Sequence, residues 1–128
     1  MHSTLTAQKL LDREYELGTL DCLSFLWKFY GDKMPRKFNG WNAYNYVQRW
    51  EEGDGRYVFY DYLHSLGEEI ELHYMTDNDL LILETPEGIT PAIYLGSGNM
   101  MVVTIEQGAF VMPLHALQCG IKEVRRLG

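Results

Sequence analysis

The chain has few cysteines, little positive charge and no long apolar run, and each shortage removes a class of protein. Cys22 and Cys119 are its two cysteines in 128 residues, which makes no disulfide framework. They also lack the paired spacing of a zinc site, so neither a metal nor another cofactor is expected. Eleven Lys and Arg stand against eighteen Asp and Glu, a net charge of −7 that argues against nucleic acid as a partner. The local exceptions, Lys33-Met-Pro-Arg36-Lys37 and Arg125-Arg126, read as a solvated loop and terminus. No stretch of about 18 apolar residues exists, so no membrane-spanning helix is expected. The opening MHSTLTAQKLLDREYE lacks a basic-then-apolar layout and does not read as a secretory signal. Internal repeats, linkers and low-complexity tracts are missing as well. The expectation is a protein made and folded in a reducing cytoplasm, which leaves open where it ends up.

What is present fits one globular domain over residues 1–128, with 46% apolar and 23% charged residues. Leu10, Leu11, Tyr15 and Leu17 suggest a first amphipathic helix that Gly18 stops. A second should run from about Leu20 or Asp21 to Tyr30. Leu23, Leu26, Trp27 and Tyr30 follow the i, i+3, i+4, i+7 stripe of a core-facing helix. Phe25 and Phe29 make it apolar nearly all round, the mark of a central, buried helix. Thr19 or Asp21 can cap it and Gly31 can end it. Residues 32–40 read as a loop, WNAYNYVQRWEE as a helix broken at Gly53-Asp-Gly55, and RYVFYDYLHSLG as another.

The texture then changes. Residues 69–74, 80–84, 91–95, 100–105 and 109–112 are short runs of Ile, Val, Leu and Tyr separated by turn residues, the pattern of antiparallel strands. Pro113-Leu-His-Ala-Leu117 suits a short helical turn, and IKEVRRL alternates like a last strand. The expected fold is α+β, with N-terminal helices packed on a C-terminal antiparallel sheet.

The stretch GTLDCLSFLWKFYG, residues 18–31, poses the functional question. It sets Cys22 at the start of a buried helix, where unpaired N–H groups and a partial positive charge favour a thiolate. Asp21 works against this, because a neighbouring carboxylate disfavours a second negative charge. Hydrolysis by cysteine also needs a base, usually His, and a group to orient it. On position alone, Cys22 is either a nucleophile or a small core residue.

Asp21-Cys22 heading an apolar helix, together with TDNDLLILETPEGITPAIYLGSG at residues 76–98, resembles the NlpC-type cysteine peptidases. These papain-like enzymes cut peptide stems of bacterial cell walls. Asn78-Asp-Leu-Leu-Ile-Leu83 looks like their GDLLLF strand, with Asn for Gly where φ is positive. Ile93-Tyr94-Leu95-Gly96 looks like the end of their HVGIYLG strand. The resemblance implies Cys22 as nucleophile, but it puts Thr90 at the base position and Val102 at the orienting position. Threonine does not take a proton from a thiol at neutral pH. This pattern is similar to a phage-encoded branch of the superfamily. Its ending matches residues 108–117, GAFVMPLHAL, followed by IKEVRRL. The resemblance covers residues 8–31 and 76–127.

Among the histidines, His2 sits near the N-terminus and His64 on a helix. His73 and His115 are the two that the fold can bring near Cys22 as a rescuing base. Trp41, Tyr44, Trp50, Tyr57 and Tyr60 crowd the middle segment beside several acids. They read first as core packing and second as a protein–protein contact, where Tyr and Trp are enriched. A carbohydrate-binding platform is a third option that nothing promotes.

Three functions remain in competition. The first is a structural or binding component of a bacteriophage tail, on a hydrolase-like scaffold without the catalytic His. It would be a homo-oligomer among other virion proteins, located in the virion after synthesis in the host cytoplasm. The second is an active peptidase or amidase on cell-wall peptides with Cys22 as nucleophile. The third is an assembly factor that leaves before the particle is complete.

Overall fold

Asp21 starts the first helix through its side chain. Its Oδ1 accepts the backbone N–H of Leu23 at 3.0 Å and of Ser24 at 2.7 Å. Ser24 Oγ accepts the Asp21 N–H at 2.8 Å in return. This reciprocal cap satisfies donors that the first turn would leave bare. Helix α1 then runs Ser24–Tyr30 and ends at Gly31, whose φ of 59° takes the left-handed region and whose N–H returns to the Trp27 carbonyl. Leu23, Phe25, Leu26, Trp27 and Tyr30 are buried, whereas Lys28 is exposed.

The computed structural model describes residues 21–38, 41–42, 55–86, 88–104 and 106–128. The first amphipathic helix expected around residues 10–17 lies outside them, as does most of WNAYNYVQRWEE. Where that segment is described, the expectation changes. Trp41–Asn42 is a strand (β2) paired antiparallel with Lys37–Phe38 (β1), inside the stretch read as loop and helix start. Helix α2 spans Gly55–His64, as RYVFYDYLHSLG suggested.

The sheet follows. Strands β4 (Leu80–Thr85), β5 (Gly88–Gly96), β6 (Asn99–Thr104) and β7 (Gly108–Pro113) form an antiparallel meander. Strand β8 (Gly120–Arg126) returns to the other side of β4, and β3 (Glu68–Glu69) pairs with β8. The order is β3-β8-β4-β5-β6-β7. A single 3-10 turn, Leu114–Ala116, occupies the PLHAL segment. Residues 69–74 do not continue as a strand. They pass into a 3-10 turn at Leu72–Tyr74, because Leu72 and Tyr74, 54% and 65% exposed, find no apolar surface to alternate against.

Alternation along the strands divides the core in two. Leu80, Ile82, Ile93, Met101, Val103 and Ala109 meet the apolar residues of α1 and α2 on one sheet face. Leu81, Leu83, Ala92, Met100, Val102 and Val124 point to the opposite face, covered by Ile70, Met75, Leu114, Leu117 and Cys119. Burial on both faces explains why β4 reads as the unbroken apolar run LLIL. Full burial of each such side chain contributes about 1.5–3 kcal/mol. Phenol and indole groups tie the layers together. Trp27 Nε1 donates to Tyr62 Oη at 3.0 Å, Tyr62 donates to the Pro35 carbonyl, and Tyr30 donates to the Asn78 carbonyl at 2.9 Å. Asn78 holds φ at 73°, the left-handed conformation that its place in the GDLLLF-like turn called for.

Candidate cysteine site

Cys22 lies one residue into the capped turn and packs against the helix-side core. As a residue it keeps partial exposure. Burial first, then the Asp21 carboxylate, push the thiol up to about 12, against a smaller lowering by its own backbone N–H. The helix terminus does not reverse this. Its Leu23 and Ser24 N–H groups are already held by Asp21, which is 1% exposed. The donors and positive partial charge that could steady a thiolate serve the cap instead.

The sheet residues facing α1 follow from the strand alternation. On β5, Ile89, Ile93 and Leu95 share the cluster that holds Cys22, whereas Ala92 and Tyr94 belong to the far side. Thr90 has the parity of Ala92 and Tyr94, so it turns to the face away from Cys22 and sits opposite Leu83 in register. Val102 likewise joins the far cluster, and its neighbours Met101 and Val103 join that of Cys22. The buried side chains that β4, β5 and β6 offer toward α1, namely Leu80, Ile82, Ile93, Met101 and Val103, are apolar. A one-residue slip exchanges the faces without bringing in a base.

The described histidines lie in 3-10 turns or at a helix end rather than on β4, β5 or β6. His73 is exposed in the 3-10 turn before β4, with Nε2 at 3.4 Å from Glu71 and its ring tilted on Tyr74. His115 is exposed in the 3-10 turn after β7. His64 closes α2, its Nδ1 at 2.5 Å from Glu123 Oε1. His2 lies outside the described residues, as do Tyr44 and Trp50. Trp41 belongs to β2 and Tyr57 to α2. Tyr60 is half-buried and donates to Glu123 Oε2 at 3.1 Å, so its hydroxyl is used within the domain. Burial and that carboxylate push its phenol up.

Sequence reading missed the polar cluster around Glu123. This carboxylate, 7% exposed, accepts from Tyr60 and from Arg125 Nη1 at 2.8 Å, and it also bonds His64. Arg125 is buried too and donates to the carbonyls of Leu66 at 2.7 Å and Gly67 at 3.2 Å. The cluster ties the end of α2 to β8. Its residues are about sixty positions apart in the chain, so the one local signal was a Glu and an Arg two apart within the apolar alternation of IKEVRRL. A second ion pair is bidentate, from Arg126 Nε and Nη2 to the Asp79 carboxylate, each at 2.9 Å. A groove beside β8, lined by Glu69, Ile70, Glu71, Leu72 and residues 121–124, does not include Cys22. Among the described residues no cluster of His, Cys, Asp and Glu could hold a metal.

The architecture can be compared with known proteins. No protein-family model and no curated protein matches the chain. Fourteen solved chains match in structure. One is the NlpC/p60 domain of the peptidoglycan hydrolase SagA, 20% identical, with 97% of this chain aligned to 95% of that one at a TM-score of 0.62. Another is NlpC2 from Trichomonas vaginalis, 19% identical, with 52% of this chain covering 28% of that one at a TM-score of 0.46. The SagA likeness shows that the chain has the NlpC/p60 fold.

Proposed function

We propose that this chain is a structural or binding component of a bacteriophage tail or virion, built on an NlpC/p60 scaffold that does not perform the hydrolysis. One observation carries the reading: Cys22 packs against the helix-side core, and the sheet residues clustered with it are apolar. Function belongs to a site rather than to a fold, so the SagA likeness alone does not transfer an activity. The phage context rests on the resemblance of residues 108–127 to the ending of the phage-encoded branch. In this role the protein associates with other virion proteins and with its own copies. Mass spectrometry of particles purified from the strain that expresses the chain tests the proposal. Stoichiometric presence supports it, and absence from finished particles refutes it, leaving an assembly factor or a protein unrelated to phage.

A second reading is favoured by one specific feature, the position of Cys22 at the head of the central helix in this fold. It makes the protein a cysteine peptidase or amidase on bacterial cell-wall peptides, with Cys22 attacking the amide carbon. That reading requires an imidazole to approach the sulfur and collect its proton. Release of peptide fragments from purified peptidoglycan, abolished by Cys22→Ala, would establish it.

A further inference from the structure

Strand β7 is the outer strand of the six-stranded sheet and pairs with β6 alone among the described residues. Its backbone orientation follows from one bond. The Leu114 N–H donates to the Gly98 carbonyl at 2.7 Å, continuing the register in which Pro113 faces Asn99. In an antiparallel ladder the direction alternates, so Gly108, Phe110 and Met112 turn their N–H and C=O groups toward β6. Ala109, Val111 and Pro113 turn theirs outward. Pro113 fits this assignment, because a proline is tolerated where its nitrogen has no ladder bond to make.

Among the described residues this edge is guarded at one end, where Pro113 takes an outward position, and carries no charged side chain. Outer strands of solitary domains are blunted by charge, shortness or a covering element. The opposite edge, β3, is two residues long and consists of exposed Glu68 and Glu69. Strand β7 has six residues, GAFVMP, with Val111 41% exposed. No Asp, Glu, Lys or Arg occurs from residue 107 to residue 121, in a chain that is 23% charged. The occupant follows from charge. Copies of a −7 chain repel unless the surfaces brought together are neutral, and two-fold strand pairing sets side chains opposite their own kind.

We propose that β7 pairs antiparallel with β7 of a second copy, joining two sheets across a two-fold axis at Val111. In this register each Val111 N–H donates to the partner copy's Val111 carbonyl. Each Ala109 N–H donates to its Pro113 carbonyl. The two exposed Val111 side chains meet across the axis. The proposal deepens the assembly reading above and rests on it. Particle mass spectrometry tests that reading without reference to β7, so the two can fail separately.

Sedimentation across micromolar to millimolar concentrations tests the pairing, on the intact chain and on two variants. Val111→Lys puts like charges opposite each other at an exposed position. Val111→Pro deletes the outward N–H while leaving the β6 ladder whole. The intact chain should dimerise, with amides of Ala109 and Val111 exchanging more slowly as concentration rises. Val111→Pro should weaken the dimer on the order of tenfold to a hundredfold, and Val111→Lys by at least as much. Circular dichroism checks that both variants keep their fold. A monomer at every concentration, a dimer undiminished in both folded variants, or amide exchange that ignores concentration would each overturn the proposal.

Discussion

Alkylation of Cys22 gives the account a quantitative handle. The thiol stands at about 12 against an ordinary 9.0, so at pH 8 it is ionised in about one molecule in ten thousand rather than one in ten. That is a thousandfold loss of the reactive form. A thiolate of higher pKa is intrinsically more nucleophilic, with a Brønsted slope of about 0.4–0.5, which returns roughly fifteen- to thirtyfold. The net slowing is roughly thirty- to sixtyfold before steric protection is counted. The assay is iodoacetamide labelling at pH 8, native against urea-unfolded chain, with the Cys22 and Cys119 peptides quantified by mass spectrometry. The native rate at Cys22 should rise about tenfold per pH unit up to about pH 11, without a plateau. A native Cys22 that reacts faster than the unfolded chain, or one whose rate levels off near neutral pH, would refute the reasoning.

Three further outcomes follow from the same geometry. Asp21→Ala removes the side-chain acceptor of the Leu23 and Ser24 N–H groups, while the backbone bond from residue 21 to Ser24 Oγ can remain, so denaturant unfolding should show a loss of about 1–2 kcal/mol; an unchanged midpoint would contradict the role given to Asp21. Gly67→Ala should cost at least about 2 kcal/mol, because φ is +52° and an added Cβ would lie 2.0 Å from the Arg126 carbonyl oxygen. Thermal melts report this, and a variant as stable as the parent would mean that the link from α2 to β8 is loose. Folding raises the Cys22 thiol, so its contribution is whole below pH 9.0 and is lost as pH climbs toward about 12. Between pH 9 and 11 that amounts to about 2 kcal/mol, and Cys22→Ala should flatten this part of the stability profile; equal slopes would sink the assignment.

Legibility in the sequence tracked how locally each feature is encoded. The meander from β4 to β7 was readable because apolar runs alternate with residues that tolerate turns, such as Asn78, Ser97 and Gly98, all at positive φ. Helix α1 was readable from its stripe and from Asp21 and Gly31 at its ends. Residues 69–74 misled because Ile70, Leu72 and Tyr74 alternate with Glu69, Glu71 and His73 at the strand period. Backbone bonding to β8 reaches Ile70, whose N–H donates to the Val124 carbonyl at 2.9 Å, and Leu72 and Tyr74 beyond it are exposed. The strand pair around Lys37 and Trp41 was hidden in aromatic text that suits a helix equally well.

At the site, the pair Asp21-Cys22 was visible, but the consequence of Asp21 was not. The same carboxylate that starts the helix occupies the N–H groups a thiolate would need, and it adds a charge beside the sulfur. The resemblance put Thr90 and Val102 at the base and orienting positions, and in the fold Val102 and the neighbours of Thr90 at the same parity, Ala92 and Tyr94, belong to the second core cluster. The Glu123 cluster depends on contacts between α2 and β8, which no local pattern announces.

Incubating purified bacterial peptidoglycan with the intact chain and with Cys22→Ala, and measuring the peptide fragments released, tests the central claim most directly. The account predicts no release above the buffer control from either protein between pH 6 and 9. Fragments produced by the intact chain and absent with Cys22→Ala would show a working nucleophile and contradict it.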